Sequence, residues 1–114
     1  MKVEILEFDG EGYSAVLSSD SWRIGMINYT ERLKEGNNLS KERHFQTDEA
    51  FILLCGDATL HVEGASYKLE PYKIYNVKKN EWHRITMSEN AKVLVVENDN
   101  TGPDNTEKVQ GDLL

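Results

Sequence analysis

Short stretches in which apolar and polar residues alternate run along most of the chain. The clearest one alternates strictly over six positions, in the order Ala58, Thr59, Leu60, His61, Val62 and Glu63. A period of two places successive side chains on opposite faces of a strand, whereas a helix repeats every 3.6 residues. The pattern therefore predicts strands.

About nine such segments are separated by clusters of Gly, Asn, Asp and Ser, which are typical turn residues. The predicted strands cover residues 2–5, 13–17, 22–30, 51–55, 57–63, 67–69, 74–77, 82–87 and 92–97. Residues 31–35 are the one helix candidate, with a single turn at most. Many short strands of this kind predict an all-β sandwich or barrel.

Parity within the strands predicts which side chains face the interior. Glu49 shares its parity with Phe51, Leu53 and Cys55, so we expect all four to line one interior face. Residues 51–55 are apolar on both faces, which is typical of a central, covered strand. Cys55 is then a buried and unreactive thiol.

The same argument assigns the remaining polar and aromatic side chains. In the strand at 22–30 we expect Trp22 and Met26 in the core, which places Arg23 on the solvent side. Arg43 is expected at the surface, and so is His61, which alternates with the interior positions of its strand. A role for Arg23 or Arg43 in binding an anionic substrate is the less favoured interpretation.

Length and charge limit the function classes. The 114 residues suit one domain, and the net charge of −7 makes nucleic acid and anionic membranes poor partners, so a small molecule is favoured. The longest apolar run, residues 50–55, is far shorter than the roughly 20 residues of a membrane span. A single cysteine and no signal-like N-terminus lead us to expect a cytoplasmic protein.

Four side chains suggest a metal site. Glu42 and His44 share a face of one strand, about 6.5–7 Å apart. The four residues that follow can turn the chain, so that Glu49 returns beside His44. If His83 also faces inward with Ile85, two imidazoles and two carboxylates converge in an apolar interior. A divalent cation would remove the cost of burying them, and this donor set suits Fe, Mn, Ni, Co or Zn.

These residues also carry a family resemblance. The spacing Gly36-x5-Glu42-x-His44-x4-Glu49-x6-Gly56 resembles the first cupin motif, G-x5-H-x-H-x(3,4)-E-x6-G, with Glu42 in place of its first histidine. The second cupin motif, G-x5-P-x-G-x2-H-x3-N, aligns on Tyr72, Lys78, Asn80, His83 and Met87, and only its histidine is present.

The resemblance implies a single-domain cupin jelly-roll barrel over residues 1–97, with core motifs at 36–87, and commonly a homodimer. It implies metal ligands at Glu42, His44, Glu49 and His83. Glu42 is a direct ligand, a hydrogen-bond partner of His44 or a residue at the solvated edge, and in an enzyme it is the fourth ligand or the general base. If it is not a ligand, His44, Glu49 and His83 form a two-histidine, one-carboxylate triad.

Three functions are consistent with this reading of the sequence. One is a metal-dependent enzyme with an open coordination position and oxygenase, isomerase or lyase chemistry on a small polar or anionic molecule. Another is a non-catalytic module that binds a small ligand. The last is a cupin that has lost its metal and keeps the cluster as a hydrogen-bonded core. Nothing in the sequence identifies a catalytic residue.

The last segment, residues 98–114, differs in composition from the rest. It is rich in Asn, Asp and Thr and poor in apolar residues. The favoured interpretation is a poorly ordered polar tail. The alternative is an arm that lies over the sheet or over a partner subunit.

Overall fold

The computed structural model describes residues 2–37 and 40–110. Within them lie ten strands, with bounds that follow in chain order. They are β1 (Gly12–Ser18), β2 (Trp22–Asn28), β3 (Lys41–His44), β4 (Glu49–Cys55), β5 (Ala58–Val62), β6 (Ala65–Lys68), β7 (Tyr75–Val77), β8 (His83–Met87), β9 (Lys92–Asn98) and β10 (Thr106–Val109). Single 3₁₀ turns at Glu31–Leu33 and Pro103–Asn105 are the helical elements of the described residues. The all-β prediction is confirmed, and so is the single turn expected at residues 31–35.

The strands form two five-stranded antiparallel sheets. The first has the order β1-β2-β9-β4-β7 and the second the order β10-β3-β8-β5-β6. Consecutive strands often lie in different sheets, as in a jelly roll. No helix in the described part of the chain is long and apolar enough to cross a membrane.

The hydrophobic core lies between the two sheets. Val93 and Val95 of the first sheet are fully buried, and Leu60 of the second is 2% exposed. Phe51 and Leu53 of β4 belong to the same cluster, as the parity argument predicts. Each such side chain contributes roughly 1.5–3 kcal/mol through removal from water.

Three sequence expectations about strands and faces are wrong. The polarity of residues 2–5 alternates, but these residues belong to no sheet, because no other strand pairs with them. Cys55 is exposed rather than interior, because the β4–β9 pairing shifts register between Leu53 and Cys55 and turns the strand end outward. Trp22 is 42% exposed, so its strand presents the opposite face to the core.

A glycine ends β4 in a backbone conformation that other residues rarely adopt. Gly56 has φ +73°, and a Cβ atom there would lie 2.5 Å from the Cα atom of Ala91. The β4–β5 turn therefore packs directly against the chain before β9. This contact explains why a glycine occupies the last position of the first motif.

The segment beyond residue 97 contributes a strand. Its β10 pairs with β3 along its whole length, from Thr106 opposite His44 to Val109 opposite Lys41. Residues 106–109 thus extend the second sheet at its edge, beside β3 rather than over the sheet, and the favoured interpretation of a poorly ordered tail is wrong for them. The domain boundary at residue 97 stays a prediction, and residues 111–114 lie outside the described part.

Candidate metal centre

Three strands of the two sheets bring the four predicted ligand residues together. Strand β3 supplies Glu42 and His44, and β8 begins at His83, which pairs directly with Glu42 across the second sheet. Glu49 begins β4 in the first sheet, so it reaches the cluster from the opposite side. The predicted turn between residues 44 and 49 is what carries the chain from one sheet to the other.

The donor atoms of the cluster lie close together in a buried position. Oε1 of Glu49 lies 3.2 Å from Nε2 of His44 and 2.8 Å from Nε2 of His83. Oε1 of Glu42 lies 3.5 Å from the same His44 nitrogen. All four donor atoms are within 4.8 Å of one another, so the cluster could hold a metal ion. An ion with bonds of about 2.1 Å would space its ligand atoms roughly 3–4 Å apart.

Both imidazoles are oriented by a partner on the ring nitrogen that faces away from the cluster. Nδ1 of His44 lies 2.9 Å from the Thr106 hydroxyl, and Nδ1 of His83 lies 3.0 Å from the Glu81 carbonyl oxygen. Such partners fix ring orientation in metal sites. Since Glu42 faces Nε2 of His44 rather than Nδ1, it lies on the donor side of the cluster.

The charges of the cluster are strongly linked. Burial lowers the pKa of His44, but hydrogen bonds with Glu42 and Glu49 outweigh it and raise that pKa to about 10. The pKa of His83 is raised as well, because Glu49 overcomes the effect of burial. Burial raises the pKa of Glu49, yet the two imidazoles reverse this and lower it. Without an ion, the Glu49 carboxylate favours the protonated form of both imidazoles, and they favour its ionised form.

The cluster lines one wall of a cavity of about 850 Å³. The side chains of His44, Glu49 and His83 are 4–8% exposed, whereas that of Glu42 is 36% exposed. The cluster therefore meets solvent on the side of Glu42. This is also the side from which a small molecule can reach it.

Three polar residues that the sequence did not place in the site line the same cavity. Glu97 is buried, and its Oε2 accepts hydrogen bonds from the Tyr13 hydroxyl at 3.1 Å and from Nη2 of Arg23 at 3.1 Å. The Tyr13 ring reaches Glu97 by crossing Gly25, where a Cβ atom would overlap the ring. The expectation that Arg23 faces solvent is wrong, because β2 presents Arg23 and Ile27 inward.

One sequence signal could have identified Glu97. It continues the alternation of Val93 and Val95, the two most deeply buried residues of the core, so its parity is interior. A carboxylate at an interior position needs a partner, and β2 places Arg23 directly opposite it. The sequence alone favours an outward Arg23, because Trp22 and Met26 make the opposite face of the strand more apolar.

Solved structures share this architecture. An RmlC-like cupin with a double-stranded β-helix fold from Methanocaldococcus jannaschii superposes with a TM-score of 0.62 at 16% identity, over 86% of this chain and 92% of that chain. This chain has the cupin fold. No protein-family model matches the sequence, and no curated protein matches it.

Two cupin enzymes are also similar in structure. Pac13 of Streptomyces, a nucleoside dehydratase, has a TM-score of 0.70 at 8% identity, over 93% of this chain and 86% of its own, and another Pac13 structure contains uridine. The QdtA 3,4-ketoisomerase of Thermoanaerobacterium thermosaccharolyticum, in complex with TDP, has a TM-score of 0.63 at 15% identity. The match covers 75% of this chain and 64% of the ketoisomerase chain. At identities this low, the structural similarity shows a common cupin fold, and any activity has to be argued from the residues of the site.

Proposed function

We propose that this cupin binds a divalent transition metal through Glu42, His44, Glu49 and His83 and uses it to bind a small polar or anionic molecule. The observation that carries the proposal is the convergence of four donor atoms within 4.8 Å of one another at the wall of a cavity. Three of the four residues are buried, and buried ionisable groups need either each other or an ion.

The donor set limits the metal. Two imidazoles and two carboxylates without a thiolate suit Fe, Mn, Ni, Co or Zn. A bound ion of this kind supplies Lewis-acid chemistry or, for iron and similar metals, redox chemistry. Four protein ligands leave open positions in an octahedral shell. Glu42 is the most exposed of the four, so it is the residue best placed to serve as a ligand or as a general base.

We infer that the chemistry is of the oxygenase, isomerase or lyase type. The cavity is large enough for a small metabolite. Two cupins of similar structure, a dehydratase and a ketoisomerase, support an isomerase or lyase, and their uridine and TDP support a small ligand. The residues that hold the ion would orient such a ligand, and Glu42 would take or return a proton if it stands outside the ligand set.

A second candidate is a cupin that works without metal, either as a small-ligand binder or with the cluster as a structural element. The observation that favours it is the shared hydrogen bonding of Glu49, whose Oε1 serves both Nε2 atoms. Such a network satisfies all three buried side chains without an ion.

Metal analysis separates the two candidates. The protein should be purified anaerobically, and its metal content and melting temperature measured with and without a chelator. The first candidate predicts close to one equivalent of metal and a lower melting temperature in chelator, because an ion that binds the native state stabilises it. Less than about a tenth of an equivalent, with no effect of chelator, would leave the metal-free candidate.

Three further expectations belong with this proposal. The cupin resemblance implies a homodimer, which analytical ultracentrifugation would test. The single cysteine favours a cytoplasmic location, which fractionation of the source cells would test. The acidic net charge predicts no binding to nucleic acid.

A further inference from the structure

A polar group in the same sheet as Glu49, formed by Arg23 of β2 and Glu97 of β9, lies beside the metal cluster and has no part in holding an ion. We propose that Arg23, held by Glu97, is a binding subsite for the carboxylate or phosphate group of a small ligand whose other end lies at the metal cluster. The inference rests on the proposed function, since the cluster supplies the second point of attachment.

Strand register places Arg23 level with Glu49 in the first sheet. Arg23 of β2 is directly opposite Glu97 of β9, and Ala50 of β4 is opposite Val96. The β4 residue next to Ala50 is Glu49, so Arg23, Glu97 and Glu49 form a row across three neighbouring strands. Strands are about 4.8 Å apart, which puts Arg23 roughly 10 Å from Glu49 along the sheet. A ligand of a few carbon atoms spans that distance.

Arg23 keeps donors for a ligand. A guanidinium has five N–H groups. Its Nε and Nη2 each donate one to Oε2 of Glu97, at 3.4 and 3.1 Å, and Nη1 donates one to the carbonyl oxygen of Asp99 at 3.4 Å. Among the described residues, one N–H on Nη1 and one on Nη2 are not taken up by Glu97 or Asp99, and Tyr13 is a further neighbour of the guanidinium. Paired N–H groups of this kind match the two oxygens of a carboxylate or phosphate.

Glu97 fixes the position of this guanidinium before any ligand arrives. Its side chain is 4% exposed, and Tyr13 donates to the same Oε2 atom that binds Arg23. Its other oxygen, Oε1, is buried without a hydrogen-bond partner among the described residues. A buried oxygen without a partner costs free energy, and a bound water, an ion or a functional role are the usual reasons for one. A preordered guanidinium loses less entropy when it binds an anion.

The charge around the cavity also favours an anion. Five basic residues line it, Arg23, Arg32, Lys41, Arg84 and Lys108, against the three acidic residues Glu42, Glu49 and Glu97. The lining thus carries a net charge of +2 from these residues, whereas the whole chain carries −7. A concave cationic region on an anionic protein concentrates small anions.

The test is a titration of metal-loaded protein with three probes. L-malate carries carboxylates and a hydroxyl, glycerol 3-phosphate carries a phosphate, and glycerol is the uncharged control. Calorimetry should show binding of at least one anion and much weaker binding of glycerol. The stronger of the two anions identifies the preferred group.

The decisive variant is Arg23→Gln. We expect it to retain metal and to bind the preferred anion roughly 10- to 100-fold more weakly, as expected for the loss of hydrogen bonds to a charged group. Arg43→Gln is the matched control. Arg43 also has a glutamate partner, Glu107, and an aromatic partner, Trp82, but it does not line the cavity. We expect its anion affinity to equal that of the unmodified protein.

A second variant keeps the inference testable if Arg23→Gln does not fold. Arg23→Lys keeps the charge but lacks the paired N–H groups, so it should also weaken anion binding. Unchanged anion affinity in a folded Arg23 variant that retains metal would overturn this inference alone, as would glycerol binding as tightly as the anions. Unmodified protein that takes up no metal would instead contradict the proposed function, and its anion titrations would still report on Arg23.

Discussion

Oε1 of Glu49 lies 2.8 Å from Nε2 of His83, although the two residues are 34 positions apart and belong to different sheets. The contact joins the two walls of the barrel at the centre of the candidate metal site. His44 completes it from the neighbouring strand of the second sheet, 3.2 Å from the same oxygen.

Replacing His83 tests whether this contact belongs to a metal site. His83→Ala should abolish metal retention and leave a folded barrel with a lower melting temperature, because the stabilisation by bound metal is lost. His61→Ala is the control, since His61 bonds to Ser66 and Thr86 outside the cluster. Elemental analysis of both variants gives the answer. Full metal content in the His83 variant would mean that the ligand set is wrong.

Glu42→Gln distinguishes a direct ligand from a residue that only supports His44. Because Glu42 faces Nε2 of His44, we expect a direct ligand and a loss of metal affinity of more than about 100-fold. A supporting role predicts a loss of roughly 10- to 100-fold. Glu107→Gln on the outer strand serves as control. Competition with a fluorescent chelator measures the affinities, and a loss below 100-fold would remove Glu42 from the ligands.

Thr106 links the C-terminal segment to the site. Thr106→Val removes the hydroxyl that lies 2.9 Å from Nδ1 of His44, so metal affinity should fall roughly 10- to 100-fold while β10 remains in place. Thr59→Val, in the same sheet but away from the cluster, should leave the affinity unchanged. Equal affinities of the two variants would show that the hydroxyl does not orient the imidazole.

Metal-free protein should lose stability as the pH rises. The pKa of His44 is about 10 in the folded chain and close to 6.5 when unfolded, so its contribution is complete below about pH 6.5 and disappears towards pH 10. In chelator, the melting temperature should therefore fall across this range. His44→Gln should show a flatter profile, and a difference of opposite sign would contradict the assignment.

With metal present, the pH dependence of stability across the same range should reverse, because metal binding strengthens as the pH rises. An ion binds the deprotonated imidazoles of His44 and His83, so each rise in pH removes a competing proton and strengthens metal binding. Titrations with metal at pH 7, 8 and 9 would show increasing affinity. An affinity independent of pH would mean that the imidazoles are not the ligands.

Gly56 tests the packing that holds β4 in place. Gly56→Ala should destabilise the protein by about 2–4 kcal/mol, because it adds a strained left-handed alanine to an overlap with the backbone of Ala91. Gly64→Ala has a similar φ of +81° but open space around it, so only the backbone cost of roughly 1–2 kcal/mol applies. Urea denaturation compares the two. Equal losses of stability in the two variants would show that the turn at Gly56 relaxes to accept the methyl group.

The alternation of side chains predicted an all-β fold and brought Glu42, His44, Glu49 and His83 together as a possible cluster, and the resemblance to the cupin motifs implied the cupin barrel. Both are properties of short segments, since residues two apart share a strand face wherever the strand lies. The four cluster residues also satisfy each other, so local pattern and tertiary packing agree there.

Tertiary structure alone decided which strand faces are buried where the local signal is balanced. Arg23 faces the cavity because β9 places Glu97 opposite it, and Cys55 is exposed because a register shift rotates the end of β4. Thr106 reaches His44 because β10 pairs with β3 across a long stretch of sequence. These outcomes depend on the register between strands that are distant in sequence. A shift of one residue in that register moves every side chain of a strand to the opposite face of the sheet.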